Sequence, residues 1–155
     1  MPLPTRRASL SRLRPDHVFF YGTLMRGFPL RVRSCIDAWI RFVGHGTIRG
    51  ALFDLGQYLA IIEAEGTVRG EVYRLLDAPR LLRRVDAIEG YDHHSLRASN
   101  YRRRAVRARL DGDRACEVWV YLYNRALGEA AWVPAGDYRQ HCAWLRTMGH
   151  ADGMP

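Results

Sequence analysis

The sequence predicts an α+β fold, a small mixed, mainly antiparallel β-barrel flanked by helices. Three observations predict it. The elements read in the order strand, helix, several strands, helix, hairpin, helix; the strand segments are either alternating or apolar throughout; and glycines crowd the longest extended stretch, where bulges and barrel corners would need them. The chain has 155 residues, 48% of them hydrophobic, with four Trp, eight Tyr and five Phe. One substantial core can be built from these, so residues 17–150 are expected to form a single domain between an arm at 1–16 and a tail at 151–155.

Order is expected to begin at His17, where Val18-Phe19-Phe20-Tyr21 is an apolar run of buried-strand type closed by Gly22. Pro29 suits the first turn of a helix from Leu30 to Trp39, because proline's missing N–H is not needed there. Phe42 to Leu55 reads as extended, bent at Gly44, Gly46 and Gly50. Leu59 to Ile62 and Val68 to Leu75 read as two strands of a hairpin turned at Glu65-Gly66. The period then changes. Leu81, Leu82, Val85 and Ile88 share one helical face, Asp77 can cap the N-terminus, Pro79 sits in the first turn, and Gly90 is placed to end the helix in a left-handed conformation. Residues 91–100 are polar and read as a loop. Val106, Ala108 and Leu110 alternate with Arg107 and Arg109 in a half-exposed strand, which turns at Asp111-Gly112-Asp113 into Ala115 to Tyr123, apolar on both faces as a central strand is. Asp137 can cap a last helix through Thr147, with Tyr138, Cys142 and Leu145 on one face and Gly149 beyond its end.

Composition narrows the function classes. The formal net charge is +8, and all 24 basic side chains are arginine. Such uniformity fits codon usage in a GC-rich genome better than selection of one surface for phosphates, so nucleic acid is not the leading partner. An RNA-associated protein would use Arg102, Arg103, Arg104, Arg107 and Arg109. The first sixteen residues carry Arg6, Arg7, Arg12 and Arg14 and read as a disordered basic arm, a composition that an organellar transit peptide shares. They hold no apolar run long enough for a signal-peptide core or a membrane span. Cys35, Cys116 and Cys142 are odd in number and form no Cys-x-x-Cys pair, which argues against a disulfide scaffold or a zinc knuckle and fits a reducing cytoplasm. Asp92-His93-His94 offers metal-ligand types without convergent partners, and His17, His45, His141 and His150 are scattered, so no metal is expected. Cys35 and Cys142 lack a nucleophile signature, Glu63 and Glu65 read as solvated turn residues, and no phosphate-binding loop with its lysine is present.

Two segments can carry chemistry. Glu89 lies at a helix C-terminus, where unpaired carbonyls disfavour a carboxylate, and its neighbour Ile88 suggests partial burial, which disfavours it further. Both effects raise its pKa toward the range of a group that takes and returns a proton within one cycle. A solvated helix-end glutamate is the alternative. Tyr21-Gly22-Thr23-Leu24 runs from a buried strand into a glycine turn, which can expose consecutive backbone N–H groups to an anion or a developing oxyanion; a plain structural turn is the alternative.

These segments combine with Gly27, Gly70-Glu71-Val72-Tyr73, Asp86-x-x-Glu89-Gly90, Tyr101-Arg102-Arg103 and Trp119-Val120-Tyr121 in an order that resembles the γ-glutamyl cyclotransferase family, in its small bacterial, AIG2-like branch, over residues 17–125. The resemblance implies a small α+β barrel and a cofactor-free enzyme acting on a small-molecule γ-glutamyl substrate. It implies that Glu89 is the catalytic acid/base, that Tyr21, Gly22, Thr23 and Leu24 bind the γ-glutamyl group, and that Tyr101 lines the pocket together with Tyr121 or Tyr123. The implied reaction is attack of the substrate's own α-amine on its γ-carbonyl, giving 5-oxoproline and a free amine. A binding or regulatory module on the same fold is the alternative from another class. Oligomeric state and the identity of the leaving amine are left open.

Overall fold

The computed structural model describes residues 14–151, so residues 1–13 of the expected arm and 152–155 of the expected tail lie outside the described residues. Strand β1 (His17–Phe20) leads through a turn at 21–28 into helix α1 (Pro29–Ser34) and one 3-10 turn at Asp37–Trp39. The long strands β2 (Ile40–Asp54) and β3 (Leu59–Leu75) follow, and then α2 (Ala78–Glu89). A loop with a 3-10 turn at Leu96–Ala98 leads to β4 (Tyr101–Leu110), β5 (Ala115–Tyr123), the short β6 (Ala131–Val133) and α3 (Tyr138–Ala151).

The strands neighbour one another in the order β3-β1-β5-β4-β2-β6, and β2 also pairs with β3, which closes five strands into a barrel with β6 on its outside. Only β1 with β5 is parallel. The expected small mixed, mainly antiparallel barrel with flanking helices is therefore the fold observed. Strand alternation sorts the apolar side chains into two cores. Phe19, Ile48, Val68, Val72 and Val118 fill the barrel, whereas Val18, Phe20 and Tyr73 face outward beneath Ile36 and the α2 residues Leu81 and Val85.

Helix α2 follows its sequence signals closely. The Asp77 side chain accepts the Arg80 N–H, Leu81 and Val85 are buried, and Gly90 ends the helix with φ 61° and ψ 43°. Elsewhere the structure corrects the reading. Leu59–Ile62 and Val68–Leu75 do not pair with each other. Both belong to β3 and both pair with β2, with residues 63–66 bulging opposite Gly50. The hairpin turn lies instead at 55–58, where Leu55 N–H donates to Tyr58 O at 2.8 Å and Gly56 N–H to Asp54 Oδ1 at 2.7 Å. Either glycine could have turned the chain, and pairing along the whole length of β2 decided between them. The first helix stops at Ser34, because Cys35 takes a left-handed φ of 55°, and the chain resumes as the 3-10 turn. Strand β4 starts at Tyr101 rather than Val106, and β6 has too few residues to show a period. Helix α3 runs past Gly149, and Leu145 is exposed rather than buried.

Closing the ring demands a close approach at Gly46, which pairs with Gly70 on β3 and with Leu110 on β4. A Cβ there would lie 2.6 Å from the Arg109 carbonyl oxygen. The expected outcome for Gly46→Ala is a loss of about 1–3 kcal/mol, read as a lower urea midpoint at unchanged m-value.

Candidate active site

A cleft opens where β1 ends. Its walls are Tyr21, Gly22, Thr23 and Leu24 of the turn after β1, Tyr58 and Leu59 at the β2–β3 turn, Ile88 and Glu89 at the end of α2, Tyr101 at the start of β4, Tyr121 near the end of β5, and Leu30, with Phe19 and Phe20 at the base. The sequence-derived residues Glu89, Tyr21, Gly22, Thr23, Leu24, Tyr101 and Tyr121 are thus brought together from four separate parts of the chain. Tyr123 is not among the lining residues; its ring meets the Tyr101 ring at 5.4 Å, edge to face.

Glu89 is the one ionisable acid of this cleft. It is half-buried, its side chain has no hydrogen-bonding or ion-pair partner among the described residues, and burial pushes its pKa up to about 7. Its charge faces two phenols, and burial with this charge raises both the Tyr21 and the Tyr101 pKa. Those hydroxyls are already committed. Tyr21 donates to Tyr121 O at 2.8 Å and Tyr101 donates to Leu59 O at 2.6 Å. Both hydroxyls are thus engaged within the protein, and Glu89 is left as the carboxyl group of the cleft wall without such a partner among the described residues.

The turn after β1 supplies donors. Met25 N–H closes back on Gly22 O at 3.0 Å. The N–H groups of Gly22, Thr23 and Leu24, three successive residues of the cleft wall, make no hydrogen bond among the described residues.

Helix α2 is held at one point that the sequence marked only as part of a motif. Asp86, one turn before Glu89, accepts from Arg103 Nη1 at 2.8 Å on both carboxylate oxygens and from the Tyr121 hydroxyl at 2.6 Å. Arg103 also lies over the Trp119 and Tyr91 rings, at 4.9 and 5.5 Å. Tyr58, Leu30 and Ile88 were missed as lining residues, since nothing local in the sequence sets them apart from other apolar positions.

The remaining candidates fall away from the cleft. Arg103 is bound to Asp86, and Arg102 pairs with Glu63 at 3.8 Å, so two of the five arginines of an RNA-binding strand are engaged within the protein. Glu63 and Glu65 are exposed. No three His, Cys, Asp or Glu side chains are grouped to hold a metal, and no helix is long and apolar enough to cross a membrane, among the described residues.

A closed barrel with a half-buried carboxyl group, unpaired among the described residues, in one cleft with a glycine turn defines the class as a small α+β barrel protein. The chain belongs to the family described as gamma-glutamyl cyclotransferase, AIG2-like, whose model matches residues 18–140. It is 29% identical over 133 residues, covering 81% of this chain and 98% of the relative, to a Methanocaldococcus jannaschii protein named "Putative gamma-glutamylcyclotransferase". The solution structure of the Escherichia coli protein YtfP matches with a TM-score of 0.57 and 26% identity, over 81% of this chain and 98% of that one. The crystal structure of a Mus musculus AIG2-like protein matches with a TM-score of 0.56 and 27% identity, over 72% and 80% of the two chains.

Two outcomes are expected. Asp86→Ala leaves the Arg103 guanidinium without its carboxylate and costs about 2–4 kcal/mol in urea unfolding. The raised pKa of Glu89 means that the folded protein holds this proton more tightly than the unfolded chain, so the contribution is full below about pH 4.5 and is lost as pH rises to about 7. Glu89→Gln is therefore expected to match wild type near pH 4.5 and to be the more stable protein at about pH 8, by on the order of 3 kcal/mol.

Proposed function

We propose that this chain is a γ-glutamyl cyclotransferase in which Glu89 carries the proton from the attacking amine to the departing one. The observation that supports this most strongly is the shared cleft, where a carboxyl group with a pKa of about 7 stands with three open, consecutive N–H donors. The donor turn binds the γ-carbonyl of a γ-glutamyl amide. The substrate's α-amine attacks that carbon, forming a C–N bond and closing a five-membered ring. The amine attacks in its neutral form, having left one proton to solvent. Glu89 takes the proton that attack leaves in excess on the ring nitrogen, the N–H groups of the turn hold the negative oxygen, and the original amide C–N bond breaks as Glu89 returns that proton to the leaving nitrogen. The products are 5-oxoproline and a free amine. A water nucleophile, metal and a covalent enzyme intermediate have no role in this balance, because the nucleophile comes with the substrate. What the protein contributes is the bent conformer, and well-oriented intramolecular attack is equivalent to a concentration of about 10⁵ M or more.

The cleft walls support the same reading. Phe19, Phe20, Leu24, Leu30 and Ile88 are apolar, which excludes water from the developing charge and strengthens each donor aimed at it.

The test is release of 5-oxoproline from a panel of γ-glutamyl amines and dipeptides. Wild type is expected to turn over at least one of them, and Glu89→Gln to lose about 10²–10⁴-fold in kcat with the fold intact. The acid limb of the wild-type kcat/KM profile should have its midpoint at about pH 7, activity falling below it as Glu89 is protonated and can no longer accept a proton. Equal activity in the Gln variant would remove Glu89 from the mechanism, and a well-folded wild type inert toward the whole panel would leave a binding module.

A further inference from the structure

The Glu71-Val72-Tyr73 stretch of β3 lines no part of the cleft, yet Glu71 is the buried carboxylate of the described residues, at 1% exposure. A carboxylate so enclosed is costly unless donors surround it. Glu71 Oε1 accepts the backbone N–H of Arg26 at 2.7 Å and the Tyr73 hydroxyl at 3.1 Å. Oε2 faces Arg26 Nε at 3.4 Å and Arg139 Nη2 at 3.6 Å. The same Tyr73 oxygen accepts from Arg31 Nη1 at 3.0 Å, and Arg31, also buried, donates to Leu24 O at 3.0 Å and to Asp37 Oδ1 at 2.8 Å.

This chain of bonds ends on two consecutive peptide groups. The Leu24–Met25 peptide is held on both sides, its oxygen by Arg31 and its N–H by Gly22 O. The next peptide is held by its Arg26 N–H on Glu71. Directly before them in the chain stand the open N–H groups of Gly22, Thr23 and Leu24. Fixing the following peptides restricts how far the turn can rotate those donors.

We propose that Glu71 and Arg31 are positioning residues, a clamp joined through Tyr73 that pre-aims the Gly22-Thr23-Leu24 donors without touching substrate. The inference rests on the cyclotransferase reading above. Donors aimed in advance act chiefly on the oxyanion of the transition state, so a loosened clamp lowers kcat more than it weakens substrate binding.

Steady-state kinetics and melting curves of wild type, Glu71→Ala, Glu71→Gln and Arg31→Lys test it. Glu71→Ala is expected to lower kcat by about 10²-fold while KM changes less than about threefold. Glu71→Gln, whose amide oxygen can still accept the Arg26 N–H, should recover about tenfold or more of that loss. Arg31→Lys keeps the buried charge but not the planar guanidinium whose Nη1 meets Leu24 O and Tyr73 Oη while its Nε holds Asp37, and should show the same split between kcat and KM, which decides the matter if Glu71→Ala does not fold. Wild-type kcat in either folded variant overturns the proposal. So does a loss that raises KM in parallel, or one that Glu71→Gln fails to recover. If wild type itself turns over nothing, the cyclotransferase reading is what fails, and amide hydrogen exchange then reads the clamp: the Arg26 N–H should exchange slowly in wild type and rapidly in Arg31→Lys, and equal rates would overturn it.

Discussion

The cleft depends on the Asp86 carboxylate, shared between the guanidinium of Arg103 on β4 and the hydroxyl of Tyr121 on β5. Asp86 and Glu89 are one helical turn apart and lie on neighbouring parts of the same face. Pinning the first to the barrel wall therefore fixes how far around the helix axis the second can move. A rotation of α2 by one residue, about 100°, would carry Glu89 off the cleft and would have to strip Arg103 of its carboxylate at the same time. Glycine at 90 completes the arrangement, since its left-handed conformation stops the helix directly after Glu89 and turns the chain away from the mouth.

Two glutamates illustrate how partners decide the use of a buried carboxyl group. Glu71 is the more enclosed, and each of its oxygens has a donor or a cation within reach. It serves as a structural anchor. Glu89 is less enclosed and has no such partner among the described residues, so burial acts on it without compensation and its proton is held to about pH 7. Under the proposed mechanism, the stability forgone at neutral pH is the counterpart of a group that exchanges a proton.

The arginines have a related lesson. A chain with a charge of +8 invites a nucleic-acid reading. Yet Arg26, Arg31, Arg103 and Arg139 are paired with Glu71, Asp37 and Asp86, and Arg26 and Arg103 also lie over the rings of Phe42 and Trp119. Part of the arginine complement is therefore engaged with carboxylates inside the fold, pairs that the net charge of +8 already counts, so the number of arginines overstates the cationic surface offered to phosphates.

The order of elements, the caps and face of α2, the buried first strand and the strand–turn junction at Tyr21-Gly22-Thr23-Leu24 were all legible in the sequence, because each is set by local chemistry: a capping side chain, a period of 3.6 or 2, a glycine that permits a turn. The family motifs added the pairing of Glu89 with that turn. Tertiary structure alone decided that residues 59–62 and 68–75 are one strand, that Tyr123 meets the Tyr101 ring edge to face instead of lining the cleft, that Tyr58 lines the cleft, and that Glu71 and Arg31 meet through Tyr73. The reason is the range of the forces involved. Propensity and capping act within a few residues, whereas strand register and the fate of a buried charge are settled largely by partners tens of positions away, which no local pattern can name.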